Sequence, residues 1–375
     1  MKIVIVGTAY PWRGGIAHYL ALLYRHLSER HDVEIVTFSR QYPKILFPGK
    51  TQEEQGGSDA AVPSEQLIDS VNPWTWHTAA QAIAAKKPDL LVFKYWLPFF
   101  GPSFGYIARV VKRRTNARVL FICDNIIPHE RRPGDIAFTR YAFKSVDFFI
   151  AQSKAVEREL IAFQPQAVYR YVPHPVYEIF GKPISQTIAR KKLKLTEEKV
   201  ILFFGYIRKY KGLDLLLRAM PEILRKTSVQ LIVAGEFYDD EEKYRTLIRQ
   251  LGLEKNVMVC SDYIPNEEVS VYFSASDVVV LPYVSATQSG IAQIAYQFDK
   301  PVIATDVGGL SEVVIEGKTG FVVPPNDERA LAESVVRFYK ERKAKQFQTG
   351  VRKEKRRYTW EALMHAIEEL MKGKR

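Results

Sequence analysis

The chain has 375 residues, 47% hydrophobic and 26% charged, with a formal net charge of +12. That length exceeds one ordinary hydrophobic core and predicts two domains. Its two cysteines, Cys123 and Cys260, lie far apart in apolar runs and read as buried free thiols of a reducing compartment, which excludes a disulfide scaffold, and no Cys/His spacing suits zinc.

The charge is unevenly placed. Residues 1–195 carry 27 Lys+Arg against 16 Asp+Glu, and residues 196–375 carry 27 against 26. The tail 341–375 alone holds 11 basic and 5 acidic residues, so 196–340 is slightly acidic. A basic first half points to an anionic surface or substrate. The opening MKIVIVGTAYPW reads as a strand and a turn and lacks the long apolar core of a signal peptide. No apolar run reaches the roughly 18–20 residues of a spanning helix. These features predict a cytoplasmic protein.

In chain order, Lys2–Val6 is an apolar strand, followed by a loop with Gly14-Gly15. A helical pattern then runs through Ile16, Leu20, Leu23 and Leu27. Val33–Phe38, Asp89–Lys94, Ala117–Cys123 and Asp147–Gln152 are further strands, with helix-period segments such as Phe104–Lys112 between them. Residues 39–75, rich in Pro, Gly, Gln and Glu, read as one long irregular loop. The periodicity breaks near Tyr171–Lys182 and restarts at Lys199–Phe204. Strands follow at Val229–Ala234, Val257–Cys260, Val278–Leu281, Pro301–Thr305 and Phe321–Val323. Helices fit Leu213–Arg225, Asp240–Leu251, Asn266–Ser274 and Glu328–Lys340. Strands alternating with helices, twice over, predict two doubly wound parallel sheets. The expected division is 1–175, a linker at 176–196, 197–345, and a C-terminal helix in 346–375 that crosses back to the first domain. Ligands of such sheets bind outside the carboxyl ends of the strands, which here predicts a cleft faced by both domains.

Several motifs lie at such strand ends. Strand Ile201–Phe204 runs into Gly205-Tyr206-Ile207-Arg208-Lys209-Tyr210-Lys211-Gly212, whose cations suit phosphate oxygens; a solvated basic turn is the plain alternative. Gln288-Ser289-Gly290-Ile291 opens a helix whose free N–H groups form an anion seat, unless it is only an ordinary cap. Gly14-Gly15 lets backbone approach an anion, though its spacing is not the dinucleotide fingerprint, which disfavours hydride chemistry. His18, one turn on, reads as a half-exposed helix residue. Cys123-Asp124-Asn125-Ile126-Ile127-Pro128-His129-Glu130 brings ionisable side chains to the top of the first sheet. No nucleophile–base pair stands out. Phe93-Lys94-Tyr95-Trp96-Leu97-Pro98-Phe99-Phe100, with Lys112-Arg113-Arg114 after it, reads either as an anionic membrane interface or as core aromatics beside solvated cations.

Taken together, FFGYIRKYKGLDLLLRAM, LIVAGE, ASDVVVLPY and KPVIATDVGGLSEVVIEGKTGFVVP, with GGIAHYLALLYRHLSERHDVEIVT near the start, resemble the family 4 glycosyltransferases, retaining enzymes of the GT-B fold. The resemblance covers nearly the whole chain. It implies two Rossmann-like domains facing a cleft, a nucleotide-diphosphate sugar as donor, and neither metal nor cofactor. It implies that Gly14 and Gly15 approach the donor's phosphates and sugar, and that Lys211 binds phosphate beside Gly205. The family's usual Arg falls on Tyr206, and Arg208 stands in for it. Gln288, Ser289, Gly290 and Ile291 form the helix start that holds the diphosphate, and Tyr263 and Ile264 lie where the base is contacted. His129 is the expected first-domain contact to the sugar. Lys211, Arg208 and His129 would carry catalysis. The family's two Glu positions fall on Ala286 and Ile294, which leaves the donor sugar open.

The reading is a retaining transfer of sugar to a lipid-linked or cell-surface glycan, by a cytoplasmic protein with an anionic membrane surface as a partner. A nucleotide-sugar binder that transfers poorly is one alternative, prompted by Ala286 and Ile294. A nucleic-acid-binding protein is another, prompted by the pI of about 9.4, but no groove-reading or RNA-stacking motif supports it.

Overall fold

The structure, a computed structural model, describes residues 1–43, 51–54, 60–127 and 132–373. The chain divides into two units, Met1–Pro175 with Thr359–Arg375, and Val176–Tyr358.

The first unit holds strands β1 (Lys2–Val6), β2 (Asp32–Arg40), β3 (Glu65–Asp69), β4 (Leu90–Tyr95), β5 (Arg118–Cys123), β6 (Phe148–Ala151) and β7 (Tyr169–Tyr171). They form one parallel sheet in the order β3-β2-β1-β4-β5-β6-β7. Its helices are α1 (Gly15–Ser28), α2 (Pro73–Ala85), α3 (Gly101–Arg114), α4 (Asp135–Phe143) and α5 (Lys154–Phe163). The central strands are near-continuous apolar runs because helices cover both faces of the sheet. Phe93, Phe121 and Phe149 stand in register on β4, β5 and β6, with ring centres 5.0 and 6.4 Å apart. Each such buried ring contributes about 1.5–3 kcal/mol.

The second unit holds β8 (Val200–Phe204), β9 (Gln230–Ala234), β10 (Val257–Cys260), β11 (Val278–Leu281), β12 (Val302–Thr305) and β13 (Gly320–Val323). These form a parallel sheet in the order β10-β9-β8-β11-β12-β13. Its helices are α6 (Gln186–Lys192), α7 (Leu213–Lys226), α8 (Glu241–Gln250), α9 (Asn266–Ala275), α10 (Gly290–Gln297), α11 (Leu310–Val313), α12 (Glu328–Lys340) and α13 (Ala344–Glu354). The last helix, α14 (Trp360–Lys372), belongs to the first unit, where the Trp360 ring lies 5.0 Å from that of Tyr19 on α1. Side-chain caps set several helix starts: Ser153 accepts from Val156 N, Asp327 from Ala330 N and Thr359 from Ala362 N.

Strand order reverses direction between β1 and β4 in the first sheet, and between β8 and β11 in the second. Those two switch points are where α/β sheets open a crevice for ligands.

Some expectations need correcting. Residues 39–75 are not wholly irregular, since β3 pairs with β2 inside them. Their short alternating strand was masked by the polar residues around it. The stretch 176–196, read as a linker, contains α6, which is tied to α9 by Ile184 N donating to Ser274 Oγ at 3.1 Å. Both cysteines are free, but Cys260, on the edge strand β10, is only half-buried. Among the described residues, no helix is long and apolar enough to cross a membrane.

Candidate active site

The second unit gathers most of the residues singled out above. β8 ends at Phe204, and Gly205 leaves the sheet with φ +96°, a left-handed conformation that favours glycine. Its N–H still donates to Ala234 O at 2.9 Å, so the turn starts from a fixed point. Ile207 N donates to Glu236 O at 2.8 Å, and a short 3-10 turn then spans Lys209–Lys211. Gly212 follows at φ +66°, where a Cβ would stand 2.0 Å from Pro282 O. This close approach locks the basic turn against the end of β11.

Lys211 is 7% exposed. A Cβ on Gly205 would lie 3.1 Å from Lys211 Nζ and 2.9 Å from Ile291 Cδ1. The amine, the bare Gly205 backbone and the first turn of α10 therefore meet at one point. Burial, and next the Arg208 guanidinium, lower the Lys211 pKa to about 7. The Tyr283 ring lies 5.8 Å from Nζ, and Tyr283 Oη is 3.4 Å from Ser289 Oγ. Ser289 caps α10, its Oγ accepting from Ala292 N at 3.4 Å. Gly290 opens the helix, and the ring of Tyr177 lies 3.2 Å from where its Cβ would stand. Gln288 precedes this cap in the loop that Gly308 supports: Gly308 has φ +53°, and a Cβ there would lie 1.5 Å from Ala286 O. Ala286 and Ile294 are both buried, and neither side chain offers a carboxylate.

Tyr263 and Ile264 follow β10, with Ile264 buried and Tyr263 half-buried, its ring 6.4 Å from that of Tyr206. Arg208 lies over the ring of Tyr238, 4.9 Å from its centre. The structure thus brings Gly205, Arg208, Lys211, Tyr263, Ile264, Gln288, Ser289, Gly290 and Ile291 to the carboxyl edge of one sheet.

The remaining candidates lie elsewhere. Gly14 and Gly15 are in the first unit, where Gly14 has φ +107° and accepts from His18 N at 3.2 Å at the start of α1. His18 is buried rather than half-exposed, and burial lowers its pKa to about 4. His129 lies outside the described residues. The aromatic run 93–100 is core: Phe93, Tyr95 and Phe100 are wholly buried, and Trp96 and Phe99 pack against them. Lys112 is paired with Asp147 at 2.8 Å.

Sequence reasoning missed a second cluster, at the carboxyl edge of the first sheet. Lys94, on β4, is wholly buried. Its Nζ donates to Asp124 Oδ1 at 2.6 Å and to Gln152 Oε1 at 2.5 Å, and lies 3.7 Å from the centre of the Tyr19 ring. Gln152 Nε2 donates to Tyr19 Oη at 2.8 Å. One lysine inside the apolar run Leu90–Tyr95 was the available signal.

Comparison with known proteins bears on the family and the fold. Residues 14–175 match the family described as glycosyl transferase 4-like domain, and residues 185–357 match glycosyl transferases group 1. A D-inositol 3-phosphate glycosyltransferase of Kribbella flavida is 27% identical over 86% of this chain and 81% of its own length. An uncharacterized glycosyltransferase of Methanocaldococcus jannaschii is 29% identical over 90% and 88%. Among solved structures, Anabaena HepE in complex with UDP-glucose superposes with a TM-score of 0.79 at 17% identity, covering 100% of both chains. Sucrose-phosphate synthase of Thermosynechococcus elongatus gives 0.75 at 20% identity, covering 99% of this chain and 98% of its own. With two wound sheets and both halves matched, this chain belongs to the group 1, family 4-like glycosyltransferases of the GT-B fold.

Proposed function

We propose that this glycosyltransferase moves a sugar, with retention, from a nucleotide-diphosphate sugar to a lipid-linked or cell-surface glycan. The observation that carries the donor reading is the meeting of Lys211 Nζ, the Gly205 backbone and the first turn of α10. Three kinds of positive potential converge there: an ammonium, the neighbouring Arg208 guanidinium, and the unpaired N–H groups of a helix start. A diphosphate leaving group gathers negative charge as the glycosidic bond breaks. Fixed cations and dipoles aimed at it lower the barrier without a paired acid and base. The helix N–H groups orient the diphosphate, and Lys211, desolvated in its own protein, regains its proton beside the anion.

The acceptor reading rests on charge. The first half of the chain is strongly basic, and one relative is named for D-inositol 3-phosphate. Both suit an anionic acceptor, and the basic half suits one presented at the cytoplasmic face of a membrane. A second reading, donor binding with little transfer, is favoured by the buried, apolar Ala286 and Ile294. Thermal melting with a panel of nucleotide-sugars tests the donor reading: the true donor raises Tm in proportion to its occupancy. No shift with any of them would refute it. Counting sugar transferred or hydrolysed from the donor that binds separates the two readings.

A further inference from the structure

The turn Gly14-Gly15 follows β1, the strand at the switch point of the first sheet, and neither glycine has a side chain to hold it. Its anchors must come from the main chain on either side. Beyond the turn, Gly14 O accepts from His18 N at 3.2 Å. Before it, the anchor is the polar segment 51–54. Arg13 N donates to Gln52 O at 3.0 Å, and Glu54 N donates to Pro11 O at 2.8 Å. Between these bonds Trp12 and Glu53 oppose one another as an antiparallel pair. The segment therefore lies along residues 11–13 as a short added strand.

Gln52 also holds a second partner with its side chain. Its Oε1 accepts from Tyr42 N at 3.2 Å, and its Nε2 donates to Tyr42 O at 3.1 Å. A carboxamide carries both a donor and an acceptor, so it meets these two main-chain groups as a neighbouring strand would. Tyr42 stands two residues past the end of β2 and is fixed in turn. Its Oη accepts from Trp96 Nε1 at 3.3 Å, and its ring lies 5.4 Å from that of the buried Phe100. Trp96 O accepts from Asn125 Nδ2 at 3.1 Å. One residue thus joins the glycine turn to the loops that follow β2, β4 and β5. Gln52 is half-buried and its amide is spent on main-chain groups, so its removal loosens the turn without opening a cavity in the core.

We propose that Gln52 is a positioning residue for glycosyl transfer: it straps the Gly14-Gly15 turn to Tyr42, so that bare backbone meets the donor's sugar in a fixed place. This rests on the nucleotide-sugar reading, in which Gly14 and Gly15 approach the donor. The strap lies wholly in the first unit, apart from the anion seat of the second. Its effect therefore falls on the sugar and not on the nucleotide.

Two measurements on the full chain test the strap, with wild type, Gln52→Leu and, as a control on the same segment, Thr51→Ala. Amide hydrogen exchange should quicken by about 10-fold over residues 10–16 in Gln52→Leu, as the bonds to Arg13 and Tyr42 weaken, and stay unchanged over β8 to β13. Calorimetry compares UDP-glucose with UDP and ADP-glucose with ADP. Whatever affinity the sugar adds in wild type should fall by about 10-fold in Gln52→Leu, while the diphosphates bind as before. Thr51→Ala should match wild type in both. Should Gln52→Leu melt far below wild type, Gln52→Asn, too short to reach both Tyr42 groups, takes its place with the same expectation. Unchanged exchange over 10–16 overturns the proposal, and so does a rise spread over the whole first unit, which would make Gln52 a stability residue. A loosened turn with the sugar's added affinity intact, or an equal loss for the diphosphates, also overturns it. So does a wild type to which the sugar adds nothing. A wild type that binds none of the four ligands defeats the donor reading itself, and the exchange measurement still decides whether the strap holds the turn.

Discussion

Lys211 and Gly205 are fitted to one another: the lysine's Nζ stands 3.1 Å from the point where any side chain on Gly205 would begin. The glycine is required twice over, by its φ of +96° and by the space the amine fills. Gly205→Ala should therefore cost about 1–2 kcal/mol of backbone strain and displace the amine or Ile291. Chemical denaturation should show the stability loss, and calorimetry with the donor should show weaker binding.

Lys211 is also a source of pH dependence. Its folded pKa of about 7 lies below its ordinary value of 10.5. Between those values the unfolded chain binds the extra proton, so this group's contribution to stability rises as pH increases from about 7 to 10.5. Lys211→Met removes that dependence and should raise Tm near pH 6–7. Donor use should fall by roughly 10–150-fold, the loss of a charge-assisted contact. In wild type, donor binding should take up a proton and weaken as pH rises above about 7, because the anion raises the lysine's pKa. Calorimetry in buffers of different ionisation enthalpy reads that uptake. A slope identical in Lys211→Met would assign the pH dependence to another group.

Tyr177 makes Gly290 a position of both binding and packing. A valine there meets the Tyr177 ring from 3.2 Å and places branched methyls at the helix start. Gly290→Val should lower nucleotide affinity and also cost about 1–3 kcal/mol through overpacking. Adding Tyr177→Leu should restore the stability, measured by urea unfolding, and leave the affinity low. Recovery of both would make Gly290 a packing position alone.

The buried pair Lys94–Asp124 should behave asymmetrically. Lys94→Met alone leaves Asp124 beside a vanished ammonium, at a cost of about 3–5 kcal/mol. Combining it with Asp124→Leu should return most of that loss, since an apolar pair needs no desolvation. A double-mutant cycle by denaturation measures the coupling. Additive losses would show that Gln152 and Tyr19, rather than Asp124, hold the lysine.

The proposed membrane attachment would have two separable sources on the first unit. Lys112, Arg113 and Arg114 end α3 just before β5, hence at the amino edge of the sheet, with Lys112 already paired to Asp147. Trp74, 82% exposed in the first turn of α2, stands at the opposite edge. Sedimentation with anionic vesicles at low salt should fall more for Trp74→Ser than for charge reversal of the three cations. The reverse ranking would return the contact to the end of α3.

The sequence by itself determined the alternation of apolar strands and amphipathic helices, and with it two parallel sheets. Parallel strands are covered on both faces and so are written as unbroken apolar runs, such as Val200–Phe204. It also determined the strand-end turns at Gly205–Gly212 and Gln288–Ile291, because glycine and capping residues interrupt those runs. Tertiary structure alone decided which side chains meet. Lys94, Asp124 and Gln152 lie on three separate strands, and only the order β4-β5-β6 joins them. Tyr206, Tyr238 and Tyr263 likewise come together through the order β10-β9-β8, although up to 57 residues separate them along the chain. Spacing along a chain reports local periodicity, whereas ionisation and stacking depend on neighbours brought by strand pairing. Lys211, whose turn reads along the chain as a phosphate site or a solvated basic turn, is thereby a buried group with a pKa of about 7.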